Sequence, residues 1–223
     1  PLTGTTTSGT LRAFPNEITY TYNWGGPSGY AATSRTNVVS TPGVYNVTVT
    51  NPSNGCSATA TTTVNQDITT PTGSASNDGP LSCAKTIVTM TANPATGVTY
   101  AWSGGGNLRT KAVTTAGTYT VTVTSTTNGC TAVATTTVTG DTSTPNSSAS
   151  NDGPLTCLKT SVTLTANPAT GVTYLWSGGG TNRTKIVTTA GTYTVTVTNN
   201  SNGCTSLATT TVSENKSVPN ASA

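Results

Sequence analysis

A unit of about 74 residues recurs along this chain, and the recurrence constrains the fold more than any other feature. Ser-Asn-Asp-Gly-Pro-Leu occurs at Ser76–Leu81 and again at Ser150–Leu155. Asn-Pro-Ala-Thr-Gly-Val-Thr-Tyr occurs at Asn93–Tyr100 and Asn167–Tyr174, and Ala-Gly-Thr-Tyr-Thr-Val-Thr-Val-Thr at Ala116–Thr124 and Ala190–Thr198. Each pair is offset by 74 positions, as are Cys83 and Cys157, and Cys130 and Cys204. A fixed period of this length marks an array of like modules.

A more diverged copy fills the N-terminal third. Tyr45 and Cys56 lie one period before Tyr119 and Cys130, and Trp24 matches Trp102 and Trp176 with a few residues inserted around it. Pro1-Leu2-Thr3-Gly4 matches Pro154-Leu155-Thr156-Cys157, so Gly4 stands where the other copies carry cysteine. The expected modules are therefore 1–70, 71–144 and 145–223, the last including a C-terminal tail. The chain opens on proline, and Ala223 falls one period after Ala149, which reads as a piece of something longer.

Only 7% of the residues are charged, the net charge is +3 and histidine is absent, which argues against a strongly basic nucleic-acid binder and an acidic tail. Apolar runs are only a few residues long, far short of the roughly 20 of a membrane-spanning helix. Solubility then falls to threonine, serine and asparagine. Threonine is β-branched and suits a pleated, half-buried surface.

The cysteines point to an oxidising, extracellular compartment. Cys83 and Cys130 fall within one module, Cys157 and Cys204 within the next, at equal spacing. The expectation is one disulfide inside each module, Cys83 to Cys130 and Cys157 to Cys204. Each would be worth about 4 kcal/mol to a domain with a thin core. Cys56 is left without a partner because Gly4 replaces it. It reads as a free, partly buried thiol, the alternative being an intermolecular link.

Within each module the hydrophobic period is two. Tyr193, Val195 and Val197 alternate with threonines, as do the matching residues of Thr118–Thr124 and Val44–Thr50. The final strand places Cys204, Ala208 and Val212 on one face, and earlier strands place Val162, Leu164 and Ala166, then Val172, Tyr174 and Trp176. Such alternation marks antiparallel strands with one face in a core. Asn54-Gly55, Asn128-Gly129 and Asn202-Gly203 separate the last two strands as hairpin signals. Short strands, one inward Trp and a Tyr opening a late strand describe an all-β chain. Its expected architecture is three tandem immunoglobulin-like β-sandwich domains in an extended rod.

Gly-Thr-Tyr-Thr-Val-Thr-Val-Thr followed by Asn-Gly-Cys-Thr, with Tyr-x-Trp-Ser upstream, resembles the Ig-like and PKD-like repeats of large Bacteroidetes surface proteins, including gliding adhesins. The resemblance implies secretion to the bacterial cell surface, tandem arrays, and adhesive or structural roles. It brings no catalytic residues.

Catalysis has little to work with: no histidine, six carboxylates and no clustered nucleophile–base set. The chain reads as non-enzymatic and cofactor-free. Trp102 and Trp176 each lead into Ser-Gly-Gly-Gly, which lacks the strand-to-helix setting of a phosphate cradle and reads as a turn. Asp67 and Asp141 sit where modules end, Asp78 and Asp152 where the next begin. Junctional calcium is one reading of these carboxylates, ordinary turn residues the other. Arg35, Arg109 and Arg183 recur one period apart, with Lys111 and Lys185 two residues beyond the last two. They read either as a basic row for anionic polysaccharide or as charges that keep exposed strands from sticking. Sequons at Asn46, Asn182 and Asn215 are what chance gives so Thr-rich a chain.

The expected function is a structural segment of an extracellular or cell-surface fibre, with further repeats or copies of itself as partners. Two alternatives stand beside it. One is a polysaccharide-binding module. The other is a self-assembling filament subunit in which Ser217–Ala223 of one copy completes the first module of the next, which lacks the Ser74–Gly79 and Ser148–Gly153 segment.

Overall fold

The Thr/Val alternation folds as expected into strands with one dry face. In the third repeat, Gly191–Asn199 pairs antiparallel with Val172–Trp176 on one side and with Thr205–Val212 on the other. A second sheet is formed by Ser148–Asn151, Val162–Asn167 and Thr184–Val187, with Val162–Asn167 in the centre. The short strand Leu155–Thr156 runs parallel to Glu214–Asn215. Two antiparallel sheets face each other, the chain switching between them; this is an immunoglobulin-like sandwich. Between the sheets lie Leu155, Val162, Leu164, Ala166, Trp176, Val187, Val195 and Val197.

A computed structural model describes residues 1–220; the last three residues of the expected Ser217–Ala223 donor tail lie outside the described part. It is all-β, with no α-helix among the described residues and one short 3-10 turn at Pro27–Gly29. The chain divides into two compact units. One holds Pro1–Ser76, Met90–Lys111 and Tyr119–Thr136; the other holds Asn77–Thr89, Ala112–Thr118 and the chain from Thr137 onward, and so contains the third repeat.

In the first unit, repeat one builds a four-stranded sheet ordered Ala31–Ala32, Thr21–Gly25, Gly43–Thr50, Ser57–Val64. Facing it are Gly9–Arg12 and Thr36–Val39 as a pair, while Leu2–Thr3 runs parallel to Gln66–Asp67. Its core is Leu11, Ala13, Tyr22, Trp24, Val39, Tyr45 and Val47. The same unit contains Val98–Trp102 of repeat two, paired antiparallel with residues 121–125. In the second unit, Leu81–Ser82 runs parallel to Gly140–Asp141.

All three tryptophans are buried and each indole N–H finds a carbonyl at 3.0 Å: Trp24 to Ser34, Trp102 to Leu108, Trp176 to Asn182. A buried indole needs such a partner, so the loop after the Trp strand is fixed by the ring beneath it. Tyr45 and Tyr193 tie back to the carbonyls of Thr41 (2.7 Å) and Thr189 (2.9 Å), closing the corner that precedes their strand.

Candidate functional site

The Asn-Gly turns make hairpins, and they do a second thing that the dipeptide alone does not announce. Each is a four-residue loop. In the third repeat Asn199 N–H donates to Cys204 O and Gly203 N–H to Asn199 O, both at 2.8 Å. Gly203 and Gly129 close their loops at φ +72° and +70°, left-handed values that favour glycine. The asparagine before each glycine is nearly inaccessible, with Asn128 4% and Asn202 3% exposed. A buried amide must spend its donors and acceptor on the protein; both of these spend the acceptor on their own turn and the donors on the adjoining repeat.

In the first unit, Asn128 Nδ2 donates to Asp67 Oδ1 (3.0 Å) and to the Thr69 carbonyl (2.9 Å), while its Oδ1 accepts from Cys130 N–H (3.0 Å). Its backbone carbonyl accepts from Gly4 N–H at 2.9 Å. In the second unit, Asn202 Nδ2 donates to Ser143 O (2.9 Å), its Oδ1 accepts from Cys204 N–H (2.9 Å), and its carbonyl accepts from Ala84 N–H (3.0 Å). Ser206 Oγ adds a donation to Pro145 O at 2.7 Å. The two junctions are the same device built twice, with Thr69–Pro71 and Ser143–Pro145 as matching linkers.

The disulfide belongs to this device, which corrects the expected pairing. Cys83 is bonded to Cys204, with Cα atoms 4.9 Å apart and a sequence separation of 121; Cys56, Cys130 and Cys157 are free. The expected bonds Cys83–Cys130 and Cys157–Cys204, each within a module, are absent. Repeat three shows why. Cys157 follows Leu155–Thr156, which lies beside Glu214–Asn215, whereas Cys204 precedes Thr205–Val212. Eight extended residues span about 27 Å, so the two cysteines sit a strand's length apart, against the ~4.4–6.8 Å a disulfide requires. Cys56 also departs from expectation, being exposed rather than partly buried.

At the first junction Gly4 takes the place of Cys83. A Cβ on Gly4 would stand 2.9 Å from Cys130 Sγ, close to the separation a Cβ has from its partner's sulfur across a disulfide. The glycine turns a covalent junction into a hydrogen-bonded one.

The four aspartates divide into two kinds. Asp67 and Asp141 shape the linkers: Thr69 N–H donates to Asp67 Oδ1 (3.1 Å), and Ser143 N–H (3.0 Å) and Oγ (2.5 Å) to Asp141 Oδ1. The Thr69 amide, then Asn128, hold the Asp67 carboxyl below the usual carboxylate range; Ser143 does the same for Asp141. Asp78 and Asp152 instead accept the amides of Thr89 and Thr163 at 2.9 Å and pair with Lys85 (3.1 Å) and Lys159 (3.0 Å). The Thr89 amide leads in lowering the Asp78 carboxyl, the Lys159 ammonium in lowering that of Asp152. Among the described residues no three His, Cys, Asp or Glu gather in metal-binding reach.

The basic residues are engaged internally. Arg109 donates to Ala92 O (3.1 Å) and Asn93 Oδ1 (2.8 Å), and Arg183 to Ala166 O (3.0 Å) and Asn167 Oδ1 (2.9 Å). Lys185 Nζ reaches Ser177 O (2.6 Å) and Gly179 O (2.7 Å), and Lys111 Nζ likewise holds Ser103 O and Gly105 O. The lysines thus cap the carbonyls of the Trp-Ser-Gly-Gly-Gly turns. Arg35 differs: its Nη1 is buried without a hydrogen-bond partner among the described residues.

No helix among the described residues is long and apolar enough to cross a membrane. Among known proteins, no family model and no curated sequence matches this chain. Solved structures similar to it include three N-terminal domains of the bacteriophage RB49 outer capsid protein Hoc (15% identity, 97% of this chain and 96% of that one, TM-score 0.37). Another is the I67–I69 I-band fragment of titin (12% identity, 96% and 94%, TM-score 0.36). A third is immunoglobulin domains 1–5 of Sidekick-1 (15% identity, 96% and 56%, TM-score 0.27).

Proposed function

We propose that this chain is a non-enzymatic structural segment of an extracellular fibre or cell-surface adhesin, its repeats, with boundaries near residues 70 and 144, serving as spacers. The observation that carries the reading is the pair of equivalent junctions, one of them sealed by Cys83–Cys204. Repeats joined only to be near one another need no such fastening. Here the turns of repeats two and three each bury an asparagine against the neighbouring linker, which fixes the join between successive repeats. A disulfide between repeats also favours an oxidising compartment outside the cytosol. The resemblance of the Gly-Thr-Tyr-Thr-Val-Thr-Val-Thr and Asn-Gly-Cys-Thr segments to surface-adhesin repeats points the same way. Antibody against this segment, applied to intact source cells and followed by gold labelling, should mark surface structures without permeabilisation. Labelling that appears only after the envelope is opened would refute the reading.

A further inference from the structure

The junction device has three turns to serve and two of them are occupied. Asn54-Gly55-Cys56 of repeat one matches Asn128-Gly129-Cys130 and Asn202-Gly203-Cys204. At Gly129 an added Cβ would collide with Thr5 and at Gly203 with Ala84, but at Gly55 (φ +72°) it would meet nothing within 4 Å among the described residues. Asn54 is exposed where its two counterparts are buried. Beside it opens a groove of about 360 Å³ whose lining includes Tyr20, Val49, Asn54, Cys56, Ala58 and Ala60. Val49 and Ala58 match Val123 and Ala132, the two side chains that a Cβ on Gly73 would touch at 3.4 Å in the filled version.

The other half of the device is also present and open. Asn215 and Ser217 repeat the linker geometry, with Ser217 Oγ donating to Asn215 Oδ1 (2.9 Å) as Ser143 does to Asp141. Pro219 matches Pro71 and Pro145 in sequence. The segment is exposed, Val218 to 78%. Beside it, Leu155–Thr156 pairs with Glu214–Asn215 and leads to Cys157, an exposed thiol at the position of Cys83.

We propose that a second copy of this chain docks here. The linker Asn215–Pro219 of one molecule lies in the repeat-one groove of the next, Asn54 takes the Ser217 carbonyl, and Cys157 forms a disulfide with Cys56, as Cys83 does with Cys204. The contact is heterologous and does not close, so it propagates as a filament. A low-molecular-weight disulfide such as oxidised glutathione supplies the oxidising equivalents. The Cys56 thiolate displaces one glutathione thiolate to give a mixed disulfide, and the Cys157 thiolate displaces the second. The two cysteine protons end on two glutathione thiols. The inference deepens the spacer reading by naming its partner.

The test uses the 223-residue chain in a glutathione redox buffer, read on non-reducing gels with mass spectrometry of the linked peptides. A ladder that collapses on reduction and contains a Cys56–Cys157 bond is expected. Cys56→Ser and Cys157→Ser should each remain monomeric, and an equimolar mixture should stop at dimers. Deleting residues 216–223 should slow cross-linking about tenfold, through the lost effective concentration, with Cys83–Cys204 intact. A monomeric wild type, a ladder surviving Cys56→Ser, dimers from Cys157→Ser alone, or a deletion without effect would each overturn the proposal. Surface labelling together with a monomeric chain would discard the polymer and leave the spacer.

Discussion

Ala60–Val64 and Ala208–Val212 are the same five residues, Ala-Thr-Thr-Thr-Val, on the same strand of two repeats, yet their burial differs. In repeat three Ala208, Thr210 and Val212 are buried; in repeat one Ala60 and Thr62 are exposed and Val64 only partly covered. The cause lies some sixty residues upstream. Ser148–Asn151 opens repeat three, and Asn151 Nδ2 donates across to Thr210 Oγ1 (2.7 Å) and Thr211 O (3.1 Å). Among the described residues no equivalent strand joins the Gly9–Arg12 and Thr36–Val39 pair of repeat one. An alternating strand therefore carries the capacity for a dry face, and coverage decides whether that capacity is used.

The largest expected effect separates the two junctions covalently. Cys83→Ala removes the cross-link of the second junction while leaving Asn202 in place, and should cost up to about 5 kcal/mol from the chain-entropy treatment of a loop this long. Calorimetry should show the transition of repeat three fall while that of repeat one stays. The converse substitution, Gly4→Cys, should join the first junction to Cys130. Because the new Cβ also crowds Cys130 N and Asn128 O, about 3 kcal/mol of gain is expected. Thiol titration should fall from the three free cysteines of the parent to two.

Ala208→Leu and Ala60→Leu test coverage directly. The first overpacks a site 8% exposed and should cost about 1–3 kcal/mol. The second points into the open and should stay within about 0.5 kcal/mol. Equal effects would break the comparison. Next come the turn asparagines: Asn128→Ala and Asn202→Ala should each cost about 1–3 kcal/mol for orphaned linker and turn partners. Asn54→Ala in the free chain should cost less, since its side chain holds only the turn amide of Cys56. The difference, read by denaturant unfolding, measures the junction.

The smallest effect is electrostatic. Asp67 and Asp141 have folded-state carboxyls lowered by hydrogen bonds, so their contribution is whole above the ordinary pKa near 3.8 and is lost as pH falls through the lower folded value. Asp67→Asn should flatten the acid limb of the first junction's stability curve. The third linker already carries Asn215 at this position.

Sequence pattern was enough to locate the alternating strands, the inward tryptophans, the hairpins and the tyrosine that opens a late strand, because each depends on local period or on one large apolar side chain. Disulfide connectivity was not legible. Cys83 and Cys130 are as well spaced in sequence as Cys157 and Cys204, and spacing says nothing about which end of a sandwich each cysteine reaches. The parallel pairing of Leu155–Thr156 with Glu214–Asn215 decides that, and a two-residue strand leaves almost no sequence signature. Asn128 and Asn202 were visible only as turn residues. Their reach into the neighbouring linker had one faint signal, the recurrence of Asp-x-Thr or Asp-x-Ser at Asp67 and Asp141. The lysines at 111 and 185 suggested a charged surface, although their reach back to the glycine turn is what the fold uses them for.

The bond between Cys83 and Cys204 has a mechanical corollary. A chain drawn out by its two ends transmits tension through that bond and bypasses the stretch it encloses, its ends separated by 121 positions in sequence. At ~3.5 Å per extended residue, about 420 Å of contour stays in reserve until the sulfurs part. Under pulling, the molecule would yield early only outside this enclosed stretch, and a reductant would release the remainder in one step, as a fuse does.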